Sequence, residues 1–300
     1  MDNTLANKYR PTTFDEVIGQ PITTKILSTQ IANKSYNHAI LFVGNAGCGK
    51  TTCAKIFASQ INGEVFTLDC ASYNGVADIR QIIENAKTPS LIYDYKVFIL
   101  DECHTLSSAA WPALLITLEE NIPHSIFIFC TTRMDKIPDT IISRVQRFNI
   151  VPISENIIED RLKFVCKEEN INISDEAIKI ISKSAKGGMR QALTNLEKCV
   201  IYNDLSIQGI SEVLNIISDD IFKQLYNSIK SKDMNRIIDT IESIYNAGYE
   251  LHLVIRQFLD YLLENKLDVS IVDTTLTVLQ DIKFDNNPKN LIIARYICIK

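Results

Sequence analysis

The chain has 300 residues, 46% of them hydrophobic and 22% charged, with a formal net charge of −5 from 31 basic and 36 acidic side chains. That length suits two or three domains better than one, and the composition excludes a disordered or fibrous chain. No apolar run approaches the ~20 residues that span a bilayer, and the acidic balance leaves any nucleic-acid contact to a local patch.

The opening MDNTLANKYRP has no apolar signal region, so the expected location is the cytoplasm and no membrane partner is expected. Between about residues 37 and 150, five short apolar runs (39–43, 64–69, 96–100, 125–130 and 148–150) alternate with helical stretches. The runs are continuous in Val, Ile, Phe and Leu instead of alternating with polar residues. Such strands are buried on both faces, as in a parallel sheet flanked by helices. From residue 154 the strand signals stop, and Ser154 and Ser174 stand as N-caps ahead of acidic first turns. Beyond residue 211 the pattern is wholly helical, with Ile221, Leu225 and Ile229 and then Ile237, Ile241 and Tyr245 spaced for a buried face. The expected organisation is an α/β domain over residues 1–152, a small helical domain over 153–210 and an all-α domain over 211–300. The eight cysteines contain no C-x-x-C pair and scatter through apolar segments, which predicts reduced, mostly buried thiols and no zinc site.

Gly44-Asn45-Ala46-Gly47-Cys48-Gly49-Lys50-Thr51 fills every fixed position of G-x-x-x-x-G-K-[ST], and Thr52 continues the nucleotide-binding set. The motif follows the run at 39–43 and opens a predicted helix at 51–60, which is the context it requires. Glycines let backbone N–H groups wrap phosphates, and the helix start adds partial positive charge. Lys50 neutralises the β and γ oxygens, while the Thr51 hydroxyl holds Mg²⁺. About fifty residues on, Val97-Phe98-Ile99-Leu100 runs into Asp101-Glu102. Two carboxylates at the C-terminal end of a buried parallel strand stand where such sheets bind ligands. Asp101 would support the Mg²⁺ shell, and Glu102 would orient and deprotonate an attacking water. His104 is given no role.

These pieces, with Lys8-Tyr9-Arg10-Pro11 and Phe14-Asp15-Glu16-Val17-Ile18-Gly19-Gln20 ahead of them, match a family. So do Asp101-Glu102-Cys103-His104, Cys130-Thr131-Thr132, Ile142-Ser143-Arg144 and Gly188-Met189-Arg190-Gln191. The chain resembles the AAA+ clamp-loader ATPases over roughly residues 5–200. The likeness is greatest to the gamma/tau subunits of bacterial DNA polymerase III, and secondarily to the small subunits of replication factor C. The resemblance implies an AAA+ fold with a helical lid and a C-terminal collar. It implies an adenine pocket from Tyr9, Arg10, Pro11, Val17 and Ile18, a sensor at Thr131 that watches the γ-phosphate, and a second sensor at Arg190 on the lid. Arg144 would act in trans on the ATP of a neighbouring subunit.

The implied cofactors are ATP and Mg²⁺. The implied partners are a sliding clamp, primer–template DNA, further loader subunits in a pentameric ring and, indirectly, the polymerase, with a nucleoid-associated location. Residues 72–80 and the helix start near Ser107 and Ser108 occupy places that touch DNA phosphates in the family. Three departures stand out: Val145 replaces the usual Cys, Gln191 replaces the usual acidic residue, and the four-cysteine zinc insert is missing. The compact length is that expected of a phage or divergent version. Two other readings are a different DNA-linked AAA+ machine, such as a branch-migration helicase motor, and a non-hydrolysing structural subunit of a loader. The intact Lys50, Thr51, Asp101 and Glu102 stand against the last.

Overall fold

The computed structural model describes residues 4–120, 122–282 and 288–299. One turn of helix, α1 (Leu5–Lys8), and a 3-10 turn at Phe14–Glu16 precede α2 (Pro21–Ala32), which begins on a proline whose missing N–H is not needed at that position. Then β1 (Ala39–Val43), α3 (Lys50–Gln60), β2 (Gly63–Asp69), α4 (Val76–Ala86) and β3 (Tyr95–Asp101) follow. Next come α5 (Ala110–Glu120), β4 (Ser125–Thr131), α6 (Asp139–Ile142) and β5 (Gln146–Asn149).

The five strands form one parallel sheet in the order β2-β3-β4-β1-β5. Strand β4 is buried at every position, as a central strand covered on both faces must be. Its residues divide by parity between two cores. Ile128 and Cys130 join Ile40, Phe42, Val97 and Phe57 of α3 on one face. Phe127 and Phe129 join Leu41, Phe98 and Leu100 on the other, under Ile79 of α4 and Trp111 of α5. Phe66, Phe98 and Phe127 stack across three strands at 5.1 and 5.3 Å. Each such ring in a core accounts for about 3–5 kcal/mol on truncation to alanine.

The last strand differs from the expected 148–150: it runs Gln146–Asn149 and pairs Phe42 with Phe148. As an edge strand it buries Phe148 alone, so the polar Gln146, Arg147 and Asn149 hid it from an apolar search. The backbone ladder extends one step further, with Ile150 N–H donating to Val43 O at 2.7 Å.

The chain leaves β1 through α3 on one face and leaves β4 through α6 on the other. The C-terminal ends of these two neighbouring strands therefore form the switch point where open parallel sheets bind ligands.

Helices α7 (Glu155–Glu168), α8 (Asp175–Ser184) and α9 (Met189–Tyr202) follow. Ser174 caps α8, its Oγ accepting the Ala177 N–H at 3.2 Å, while Ser154 takes the N-cap position of α7 with no side-chain bond. The chain divides into two compact units, Met1–Ile201 and Tyr202–Lys300. The second holds α10 (Ile207–Val213), α11 (Asp219–Lys230), α12 (Met234–Asn246), α13 (Leu251–Glu264), α14 (Val269–Asp281) and α15 (Pro288–Ile297). Its core centres on Phe258, ringed by Phe222, Tyr261 and Tyr296. The Tyr296 hydroxyl, fully buried, pairs with Thr275 Oγ1 at 3.1 Å, as a buried polar group must. Tyr245 corrects the expected face of α12: it is 49% exposed and lies under the Lys289 ammonium, while Ile244 takes the core position after Ile237 and Ile241.

Candidate functional site

The loop between β1 and α3 is shaped by its glycines. A Cβ on Gly44 would sit 2.2 Å from the carbonyl oxygen of Ile150, and Gly49 holds φ +108°, closed to L side chains. Lys50 begins α3 almost wholly buried, and its Nζ donates to the carbonyls of Gly44 and Asn45 at 3.0 Å each. These bonds curl the loop around its own lysine, with Asn45 and Ala46 exposed at the rim.

Two turns of chain meet this loop from β3 and β4. Thr51 Oγ1 donates to Asp101 Oδ2 at 2.7 Å, joining the start of α3 to the end of β3. Glu102 adopts a left-handed backbone (φ 48°, ψ 41°), a conformation that costs a non-glycine residue about 1–3 kcal/mol and that gathers at functional sites. Its N–H donates to Asp101 Oδ1 at 3.1 Å, and its carboxylate accepts from Thr132 Oγ1 at 3.1 Å. Thr131, fully buried at the end of β4, accepts the Arg133 N–H at 3.0 Å and lies 3.2 Å from His104 Nδ1.

A third side is cationic. Arg10 Nε donates to Thr52 Oγ1 at 3.2 Å. Its guanidinium is held below its ordinary range by burial and then by Arg190, with Asp101 acting the other way. Lys55 is lowered by partial desolvation and then by Arg10, again against Asp101. Burial is the larger cause for both side chains, and each also has one cation beside it and Asp101 as the nearby anion. Arg190 stands beside the loop: its N–H reaches Gly47 O at 3.5 Å, and a Cβ on Gly47 would touch the Arg190 Cβ at 3.4 Å. Cys48 Sγ donates to Gly187 O at 3.3 Å. Burial pushes the Cys48 thiol up, so it behaves as a packing group.

The residues expected around adenine divide. Val17 packs against the core cluster beneath α3, and Pro11 and Ile18 are half-buried. Arg10 turns toward Thr52 at the start of α3. Tyr9 turns toward the end of α7, where its hydroxyl donates to Glu169, which also pairs with Lys8 at 2.6 Å. Arg144 stands apart from this group. Its guanidinium pairs with Glu119 of α5 and donates to Thr140 O at 2.9 Å and Ser143 Oγ at 3.2 Å. Ser72 bonds Asp69 at 2.8 Å, and Ser107 N–H donates to Asn74 O at 3.1 Å, so those two segments lie together beyond β2 and β3.

Sequence reasoning gave no role of their own to four participants: Lys55, Thr132, His104 and Gln20. Lys55 and Thr132 flank recognised motifs and had no spacing signal of their own. Gln20, 2% exposed, donates to Val151 O at 2.7 Å and accepts Val151 N–H at 3.1 Å, fixing the start of the helical region to the strap before α2.

Comparison with known proteins bears on this geometry. Residues 40–153 match the family model "ATPase family associated with various cellular activities (AAA)", and residues 160–200 match the RCF1/5-like AAA+ ATPase lid domain. The DNA polymerase III subunit gamma of Buchnera aphidicola subsp. Schizaphis graminum is 32% identical over 284 residues, which cover 86% of this chain and 78% of that protein. The chain belongs to the DNA polymerase III gamma/tau family. The tau subunit of Bacillus subtilis is 34% identical over 279 residues, covering 84% of this chain and 50% of the relative. This gamma/tau family member thus spans about half the length of that relative, and 53% of the Mycoplasma genitalium gamma/tau subunit. In fold it is similar to the Thermotoga maritima RuvB Holliday junction branch migration motor, with a TM-score of 0.59 at 20% identity over 86% of this chain and 91% of that one. The gamma/tau chain therefore has an AAA domain with a parallel five-stranded sheet, a lid and a helical C-terminal region.

Proposed function

We propose that this chain is an ATP-hydrolysing subunit of a sliding-clamp loader, which opens a ring-shaped clamp and places it on primer–template DNA. The observation that carries the reading is the Thr51–Asp101 bond beside Glu102. It joins the phosphate loop, a metal-ready hydroxyl–carboxylate pair and a neighbouring carboxylate base at one switch point. The residues suit ATP and Mg²⁺: Gly44 has no room for a side chain, Gly47 and Gly49 hold positive φ, and Arg10, Lys55 and Arg190 bring three cations to the loop.

Thr51 and Asp101 would hold Mg²⁺, which supplies neutralisation of charge on the β- and γ-phosphates. Lys50 and the loop N–H groups bind the phosphates, and Arg10 approaches from Thr52. Glu102 takes the proton of a water as its oxygen attacks the γ-phosphorus and ADP leaves. Thr131 and Arg190 report the γ-phosphate to β4 and to the lid. Arg144 serves a neighbouring subunit's site, where it stabilises developing negative charge. In this reading residues 1–152 are the ATPase base, 153–210 the lid and 211–300 the collar of a pentameric ring. The segments 72–80 and 107–108 track DNA phosphates, and the complex works in the cytoplasm at the nucleoid, linked through the clamp to the polymerase.

The test is steady-state ATPase of the purified chain with a bacterial clamp, loader partner subunits and primed DNA. Stimulation that needs both clamp and a primer–template junction supports loading. Stimulation by DNA regardless of clamp or primer would instead favour a branch-migration type of motor. No turnover in any combination would assign the chain a structural role.

A further inference from the structure

His104 lies in the short turn Cys103–Thr105 directly after Glu102, its side chain 15% exposed. Its Nδ1 stands 3.2 Å from Thr131 Oγ1 and 3.3 Å from Glu102 Oε2. The turn does not need the ring to hold its shape: Thr105 Oγ1 donates to Glu102 O at 2.9 Å, and Leu106 N–H donates to Cys103 O at 3.1 Å. The imidazole is thus placed between a hydroxyl and a carboxylate by a turn that is already closed.

One ring nitrogen cannot accept from Thr131 and donate to Glu102 at the same time. Thr131 Oγ1 already accepts the Arg133 N–H, so its own proton seeks an acceptor, and His104 Nδ1 is within reach. While Nδ1 presents its lone pair, it accepts a hydrogen bond from the Thr131 hydroxyl, and the Glu102 carboxylate faces a lone pair, with Thr132 as its donor. Once Nδ1 bears a proton it donates to Glu102 Oε2, and the Thr131 hydroxyl turns to donate its hydrogen bond to another oxygen. The change moves one proton from Nε2 to Nδ1 through solvent water and leaves the charge of the ring unaltered.

We infer that His104 is a positioning residue whose Nδ1 links Thr131 to Glu102, so that a phosphate oxygen accepting a hydrogen bond from the Thr131 hydroxyl fixes the Glu102 carboxylate for its work on water. The inference rests on the ATPase reading above. It gives Glu102 one donor, Thr132, in the nucleotide-free chain and a second, His104, once the γ-phosphate is in place, which limits wasted turnover.

Two measurements on the full chain test it. In the first, His104→Leu and His104→Asn are compared with the native chain for ATPase, for affinity toward a fluorescent ATP analogue and for melting temperature. His104→Leu is expected to lower kcat about ten- to a hundredfold, the effect of a misplaced base, with KM and analogue affinity within about twofold. His104→Asn, whose amide reaches the place of Nδ1, is expected to recover most of that loss. Equal kcat in His104→Leu and the native chain overturns the inference, as does a parallel loss in both variants that follows a fall in melting temperature. In the second, ¹⁵N shifts of the histidine rings are recorded with and without Mg²⁺ and a non-hydrolysable ATP analogue. With four histidines in the chain, the His104→Asn difference spectrum assigns the signal. A change from the Nε2–H to the Nδ1–H tautomer on binding supports the coupling, and an unchanged tautomer refutes it. Absence of ATPase from the native chain under every condition would sink the functional reading instead, and the ring shifts would still decide the coupling.

Discussion

Replacing Arg144 with alanine separates its local bonds from a role in a neighbour's active site. Within the chain the guanidinium pairs with Glu119, their side chains 37% and 49% exposed, and makes two further bonds to Thr140 and Ser143. An exposed pair of this kind contributes about 0–1 kcal/mol. In a unit of Met1–Ile201, that corresponds to a melting shift of at most about 2–4 °C. An arginine that neutralises developing charge in phosphoryl transfer is instead worth about 10³-fold or more in kcat. Arg144→Ala should therefore leave the melting curve almost in place while ATPase of the assembled complex falls about a thousandfold. The assay is complementation. Arg144→Ala keeps a complete nucleotide site, Lys50→Ala keeps the arginine, and random mixing in a head-to-tail ring gives about a quarter of interfaces both parts. An equimolar mixture should regain a measurable share of native turnover. If no mixing ratio exceeds the sum of the two mutants, or if activity falls only in step with stability, the in-trans assignment is wrong.

Asp101→Asn keeps a partner for the Thr51 hydroxyl but removes the charge that a divalent ion needs; nucleotide should still raise the melting temperature, and added Mg²⁺ should add no further increment, as thermal shift would record. Gln20→Ala removes both bonds to Val151 and should cost about 1–3 kcal/mol, read from the urea midpoint. Glu169 is held below the ordinary carboxylate range by Lys8 and then by Tyr9. A depressed folded-state value means stability that is present above the unfolded value and lost as pH falls through the folded one, so Glu169→Gln should flatten the acid limb of stability measured by denaturation. Tyr9 moves the other way, pushed up to about 12 by its bond to Glu169. Its share of stability is present below pH 10 and lost toward 12, a loss that Tyr9→Phe should remove from the alkaline limb.

The phosphate loop, the acidic strand end and the central strands were legible because each concentrates its signal in consecutive residues. Gly44–Thr51 and Val97–Glu102 lie together in the chain before they lie together in space. Strand β5 was legible only at Phe148, because an edge strand has little to bury. The pairing of Thr51 with Asp101 across fifty residues followed from the motif, whereas the position of His104 between Glu102 and Thr131 did not. That placement depends on the left-handed backbone at Glu102, which reverses the chain and brings position 104 back over the end of β4. A glycine would have advertised such a turn; a glutamate does not. Tyr245 failed for a smaller reason: helical spacing allows either i+3 or i+4, and the packing of α12 took Ile244.

Gly187 has a mechanical consequence. Its carbonyl receives the Ile153 N–H at 3.0 Å and the Cys48 thiol at 3.3 Å, while a Cβ on Gly187 would fall 2.6 Å from Pro152. The phosphate loop, the strand exit and the start of α9 are thus pinned at one peptide. A lid anchored there is expected to move only when these bonds open. Nucleotide exchange should then be timed by a local unfastening event, visible as amide hydrogen exchange at Ile153 proceeding in step with release of the bound nucleotide.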